Sequence, residues 1–151
     1  MSVKPADIPI PNAIVLGQGD SRVLLGGQPT LPQLREIADA GYSSVINLRG
    51  AKELTGEDAP VCEALGLAYH HLPIDGAAGL STSNVGAFHE LLEGISGPHV
   101  VHCKSGNRVG ALYALRAAWH QGASASEAME LGRRHGLTSL ADAVEALLSR
   151  T

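Results

Sequence analysis

His102-Cys103-Lys104-Ser105-Gly106-Asn107-Arg108-Val109-Gly110 gathers a thiol, a guanidinium and two glycines within one short segment. An apolar run, Val100-Val101, delivers the cysteine into this polar stretch, and Ala111, Leu112, Ala114, Leu115 and Ala118 supply the apolar face of a helix after it. A loop between strand and helix aims backbone amides and the positive helix end at one point. A thiol at that point lies in a field that favours the thiolate, which is its nucleophilic form. Arg108 adds a planar fork of donors that matches a tetrahedral oxyanion. The chemistry on offer is nucleophilic attack by Cys103 on a group whose oxygens are held by the loop and by Arg108. The plainer account, a structural cysteine before an ordinary glycine turn, leaves Arg108 and the glycines unexplained.

This loop resembles the active-site loop of the cysteine-dependent phosphatases, the protein tyrosine and dual-specificity phosphatase superfamily. In that superfamily His-Cys is followed by five residues and then Arg, usually with Ser or Thr next. Here four residues separate Cys103 from Arg108, and Val109 follows. The shorter spacing resembles the rhodanese loop, whose cysteine carries a persulfide sulfur between donor and acceptor, and a six-residue ring encloses a smaller anion. Ser105 is the nearby substitute for the missing hydroxyl. Gly26-Gly27-Gln28-Pro29-Thr30, the helical pattern Leu31 to Ala40 and Ser44-Val45-Ile46-Asn47-Leu48-Arg49 resemble the opening of a small bacterial phosphatase-like group, described as beta-lactamase-hydrolase-like or domain-of-unknown-function proteins. The similarity runs from about Gly26 to Val144. Phosphatase and sulfurtransferase roles are both assigned within that group, so the resemblance narrows mechanism more than substrate.

The resemblance implies roles for named residues. Asp75, in Leu72-Pro73-Ile74-Asp75-Gly76, lies twenty-eight positions before Cys103, near where dual-specificity phosphatases place a general-acid aspartate. Such an acid is worth about two to four orders of magnitude when an alkoxide or phenoxide must leave, whereas persulfide transfer has no oxygen to protonate. Asp-Gly is equally a common turn. On the phosphatase reading Cys103 attacks phosphorus in line, and Arg108 with the amides of Lys104, Ser105, Gly106, Asn107 and Arg108 holds the equatorial oxygens. Asp75 protonates the departing oxygen and then serves as base for water, while His102 tunes Cys103 from the strand side. Lys104 raises the potential at the mouth. The reaction needs no metal or cofactor, and the expected partner is a phosphorylated small molecule or phosphoprotein. A rhodanese-like sulfurtransferase and a non-catalytic module binding phosphate or another oxyanion stand as alternatives.

The elements that must position these residues alternate along the chain. Arg22 to Leu25 reads as a short edge strand, Thr30 as the N-cap of a helix that Gly41 ends, and Val45 to Leu48 as a strand. Glu57 to Leu65 reads as a short helix closed by Gly66, and Leu67 to Leu72 as the next strand. Ser81 or Ser83 caps a helix through Leu92, His99 to His102 is the strand feeding the loop, and helices follow at Val109 to Gln121, Ser126 to His135 and Leu140 to Ser149. Such alternation predicts an α/β fold with a central, mostly parallel sheet of four to five strands flanked by helices. Ligands in such sheets sit at the carboxyl ends of strands, where Cys103 falls. The segment Gly76 to Ser81, rich in small residues, is the expected mobile lid.

The chain has 151 residues, enough to bury roughly two-thirds of its unfolded surface, and 44% of them are hydrophobic. One domain spanning residues 1–151 is expected, with 1–20 an extended N-terminal segment. A net charge of -4 and an aromatic content of 3% argue against a nucleic-acid or anionic-membrane binder. Cys62 and Cys103 do not make a disulfide scaffold, Met1 to Pro11 lacks the apolar run of a secretory signal, and a reducing, cytoplasmic compartment is the simpler expectation. Cys62 reads as a packed core thiol, the alternative being a redox partner that closes onto Cys103. His70 and His71 alternate across a strand and cannot chelate together, and His89 with Glu93 lacks further ligands. Arg49 and Glu53 read as a surface ion pair, the alternative being that they line the mouth of the pocket, and Trp119 with Leu115 reads as core.

Overall fold

The computed structural model describes residues 8–150. Strands β1 (Ile14–Leu16), β2 (Val23–Gly26), β3 (Ser44–Asn47), β4 (Ala68–His71) and β5 (His99–His102) form one sheet in the order β1-β2-β5-β3-β4. β2, β5, β3 and β4 run parallel, and β1 is antiparallel to β2. The helices are α1 (Leu31–Asp39), α2 (Asp58–Ala64), α3 (Thr82–Gly94), α4 (Asn107–His120), α5 (Ala125–Arg134) and α6 (Ala141–Ser149). This is the α/β architecture that the alternation predicts.

Register explains why the central strands are apolar at consecutive positions. Leu24, Val45 and Val100 lie side by side and pack with Leu34, Ile37 and Cys62 of α1 and α2. Leu25, Ile46 and Val101, one position on, turn to the opposite face and pack beneath α3 to α6 with Phe88, Leu112, Leu115 and Val144. A parallel strand covered on both faces needs both sets. The same register aligns Gly26, Asn47 and His102 at the carboxyl ends of three adjacent strands.

Helix starts follow the sequence signals. Thr30 and Gln33 form a capping box on α1, Ser124 and Glu127 form another on α5, and Ser81 caps α3 by accepting from the Asn84 amide. Helix α4 begins differently: its N-cap is Gly106 in the left-handed region at φ 97°, with no side-chain cap. A non-glycine residue is rarely tolerated there. The first-turn N–H groups of α4 therefore carry no capping side chain.

Edges and boundaries differ in detail from the sequence pattern. Arg22 to Leu25 is not an edge, because β1 adds outside β2; three half-buried residues give too short a pattern to read as a strand. Of the expected extended segment, residues 1–7 lie outside the described residues, while Ile8 and Ile10 are buried with Leu24 and Leu34. Helix α4 also starts two residues before the expected Val109, so Arg108 sits in its first turn.

Helices α4 and α5 meet through glycines. A Cβ on Gly110 would run into the backbone nitrogen of Leu137 and come within 2.7 Å of the Gly132 carbonyl oxygen. This close approach lays the chain after α5 over the start of α4. Gly110→Ala is expected to lower unfolding free energy by about 1–3 kcal/mol through overpacking, measured by denaturant unfolding; unchanged stability would contradict the close contact.

Candidate active site

Three successive carbonyls of the cysteine loop are tied outward. The Cys103 carbonyl accepts from His102 Nδ1–H at 3.3 Å, the Lys104 carbonyl from the Gln28 amide at 3.2 Å, and the Ser105 carbonyl from Asn12 Nδ2 at 2.8 Å. In a trans peptide the N–H points opposite to the carbonyl, so these anchors turn the amides of Lys104, Ser105 and Gly106 inward. The Gly106 amide reaches Cys103 Sγ at 3.0 Å. Gly27 pairs with Ser105 in an isolated bridge, and a Cβ on Gly27 would strike the Lys104 carbonyl. The glycine pair after β2 therefore lets the second chain segment lie against the loop.

Burial removes His102 from acid-base work. It is fully buried, its Nε2 has no partner, and desolvation holds its pKa down at about 4. Because Nδ1 faces a carbonyl, it carries the proton, and the ring acts as a neutral strut. Cys103 is 1% exposed.

Arg108 is held by a clamp. Its Nη1 donates to Glu53 Oε2 at 2.6 Å and to the Ile74 carbonyl at 3.0 Å, and its Nη2 donates to Glu53 Oε1 at 2.9 Å. Those bonds use three of the five guanidinium N–H groups. The Nε–H and the second Nη2–H remain, and together they form one intact fork. The Glu53 hydrogen bond raises the Arg108 pKa, and the Cys103 sulfur, with which the guanidinium also interacts, adds to that shift. Arg108 hydrogen bonding holds the Glu53 carboxyl down at about 2, against the cost of burial, with the Gly50 amide and Arg49 contributing. Glu53 is therefore an anion at every pH where the protein would work.

The expected site residues divide. Gly106 and Arg108 meet the Cys103 sulfur, His102 lies buried behind it, and Lys104 and Ser105 are exposed. Asp75 follows the Ile74 carbonyl that Arg108 holds, and its carboxylate lies against Gly50 beside Glu53. Asn107 differs in its side chain, which is spent on the loop after α5: Oδ1 accepts from the Thr138 and Leu140 amides and Nδ2 donates to Ser139. Val109 is buried, so no hydroxyl follows Arg108. Cys62 lies in the opposite hydrophobic layer from Cys103, and burial pushes its thiol up to about 11, as suits a packed core thiol. Among the described residues no His, Cys, Asp or Glu cluster could hold a metal. Asn12 and Gln28 were not foreseen as loop supports; each acts across a long sequence separation, and only the Gln28 position beside the glycine pair gave any signal.

A cysteine in an amide-lined loop at the carboxyl end of a parallel strand, opposed by a clamped arginine, defines a phosphatase-like α/β protein. The chain belongs to the family described as DSP-PTPase phosphatase fused to NAD+ kinase, which matches residues 12–146. It is 34% identical over 122 residues to a beta-lactamase hydrolase-like protein of Xylella fastidiosa, covering 78% of this chain but 28% of the relative, and 28% identical over 122 residues to one of Agrobacterium fabrum with the same coverage. The chain thus spans little more than a quarter of the length of these relatives. Among solved structures, a DUF442 protein from Shewanella putrefaciens CN-32 superposes with a TM-score of 0.64 at 21% identity, covering 93% of both chains. A Cys-to-Ser form of P. aeruginosa TpbA in complex with phosphotyrosine gives 0.64 at 15% identity, covering 100% of this chain and 96% of the other. These structural likenesses show the fold. No helix among the described residues is long and apolar enough to cross a membrane.

Two outcomes follow from the geometry. Glu53→Gln should weaken inorganic phosphate binding by about tenfold or more through loss of the charged clamp, read by calorimetry; tighter binding, as expected if Glu53 merely repelled anions, would contradict a positioning role. The folded chain refuses a proton at His102 that the unfolded chain accepts below about 6.5, so stability should rise with pH between about 4 and 6.5. His99 and His135 share the sign, and His102→Gln should therefore reduce the slope of unfolding free energy against pH without abolishing it.

Proposed function

We propose that this chain is a cysteine-dependent phosphatase that hydrolyses a phosphate monoester through a phosphocysteine intermediate. The observation that carries the reading is the interaction of the Arg108 guanidinium with Cys103, with Glu53 holding its Nη1/Nη2 end and Gly106 donating to the sulfur. A tetrahedral phosphate seated there meets the inward amides and the Nε/Nη2 fork. The Cys103 thiolate attacks phosphorus, the ester oxygen leaves with a proton, and water then cleaves the S–P bond to release inorganic phosphate and the thiolate.

Asp75 supplies the proton on this reading. Glu53, the other carboxyl near Arg108, is committed to the guanidinium and too acidic to give a proton near neutrality. Asp75 is exposed and makes no ion pair among the described residues, and its place after Ile74 couples it to the clamp. The phosphotyrosine bound by TpbA makes an aryl phosphate the natural first probe.

The four-residue spacing from Cys103 to Arg108 favours a second reading, sulfur transfer through a Cys103 persulfide. Both are tested by exposing the protein separately to an aryl phosphate and to thiosulfate with cyanide as acceptor, following turnover and the mass of the protein. Phosphate release that vanishes in Cys103→Ser is the expected result. A sulfur adduct on Cys103 with thiosulfate turnover and no phosphate release would replace the phosphatase by a sulfurtransferase. Asp75→Asn should slow hydrolysis of an alkyl phosphate by about two orders of magnitude, and much less for a p-nitrophenyl leaving group, which needs little protonation; equal effects on both would remove Asp75 as the acid.

A further inference from the structure

A cleft of about 490 Å³ opens beside the cysteine loop, lined by Gln28, Arg49, Leu54, Asp58, Tyr69 and His71 among others. It is joined to the anion cradle by covalent and hydrogen-bonded links. The Gln28 amide holds the Lys104 carbonyl, and Gln28 Oε1 accepts from Arg49 Nη1 at 2.9 Å. Arg49 Nε and Arg108 Nη2 approach the same oxygen, Glu53 Oε1, at 3.4 and 2.9 Å. Two guanidiniums thus stand on either side of one carboxylate, one at the cradle and one in the cleft.

Glu53 does little for Arg49. Its Oε2 is taken by Arg108 Nη1 and by the Gly50 amide at 2.7 Å, and its Oε1 serves Arg108 at the shorter distance. The Arg49 contact is single and long, and Arg49 Nη2 has no protein partner among the described residues. The residue is nevertheless fixed: its amide donates to Asn47 Oδ1 at 2.9 Å, and its carbonyl accepts from His71 Nε2–H at 2.7 Å. The side chain is 18% exposed. A structural ion pair would use the fork; here the fork is anchored from behind with donors left toward the cleft. Asp58, the half-buried carboxylate in that wall, is engaged by Gln28 Nε2 at 2.8 Å, while Leu54 and Tyr69 offer apolar surface for a carbon skeleton.

We propose that Arg49 reads a second anionic group, a phosphate or a carboxylate, on the same compact substrate whose phosphate Cys103 attacks. The proposal rests on the phosphatase reading and deepens it by naming a bis-anionic substrate class. Because both guanidiniums touch Glu53 Oε1, the two anionic groups are a few bonds apart, not at opposite ends of a long chain. A positively charged fork with spare donors, held by Gln28 and Glu53 on a backbone that Asn47 and His71 fix, gains a charge-assisted hydrogen bond with little reorganisation.

The test compares kcat/KM for phenyl phosphate, 3-carboxyphenyl phosphate and 1,3-phenylene bisphosphate in the native chain, Arg49→Gln and Arg49→Lys. The expected result is a preference of about tenfold or more for one or both bis-anionic compounds, carried mainly by KM, which falls toward one in Arg49→Gln and is partly recovered in Arg49→Lys. The carboxylate and phosphate arms show which second group is read. No preference in the native chain, or the same preference in Arg49→Gln, overturns the proposal. If none of the three compounds releases phosphate, the hydrolytic reading has failed; calorimetric binding of the same compounds to Cys103→Ser then decides on Arg49 by itself, equal affinity for all three overturning its role.

Discussion

The outward anchoring of the Cys103, Lys104 and Ser105 carbonyls is the constraint on which the site depends. A loop of this length could present either carbonyls or amides to a ligand, and only the second choice attracts an anion. His102, Gln28 and Asn12 settle the choice from three directions. Each of these bonds is individually modest, about 0.5–1.5 kcal/mol net; their joint effect is to fix the direction of the peptide dipoles in advance. That kind of preorganisation is where electrostatic catalysis gains most. The cost is visible in the fold: Gly27 for close approach, Gly106 in the left-handed region, and a buried His102 whose second nitrogen has no partner.

The arginine is organised by the same logic. With four residues between it and the cysteine, Arg108 falls in the first turn of α4, with its guanidinium reaching Glu53 and the Ile74 carbonyl. Glu53 neutralises part of its charge yet aims the remaining fork. The pair is partly buried, and such pairs are kept for geometry more readily than for stability. Through Ile74 the clamp also sets the exit of the chain toward Asp75, and through Oε1 it meets Arg49. The cysteine loop, the Asp75 segment and the cleft are therefore linked by one carboxylate.

Much of this was legible in the sequence because it is local. The loop, its feeding strand, the capping boxes at Thr30 and Ser124 and the Ser81 cap are all short-range patterns, and the double-sided apolar strands announce a parallel sheet. What escaped is long-range. Glu53 and Arg108 are 55 positions apart, and Asn12 and Ser105 are 93 apart; pairings of that kind leave no periodicity. Arg49 and Glu53 read as a simple surface pair four residues apart, and the fold turned Glu53 mainly to another arginine. Strand β1 was missed because three residues are too few to alternate detectably. The side chain of Asn107 joins α4 to the turn before α6, a contact that depends on the packing of α5 on Gly110 and leaves no local pattern.

The central claim is that Arg108 can hold a tetrahedral oxyanion with its Nε/Nη2 edge while Glu53 keeps the Nη1/Nη2 end. A crystal structure of the protein soaked with orthovanadate tests it most directly. The account predicts vanadium bonded to Cys103 Sγ, equatorial oxygens on the Arg108 Nε/Nη2 fork and the loop amides, and the Glu53 clamp intact. Vanadate held elsewhere, or seated only after Glu53 has left Arg108, would contradict it.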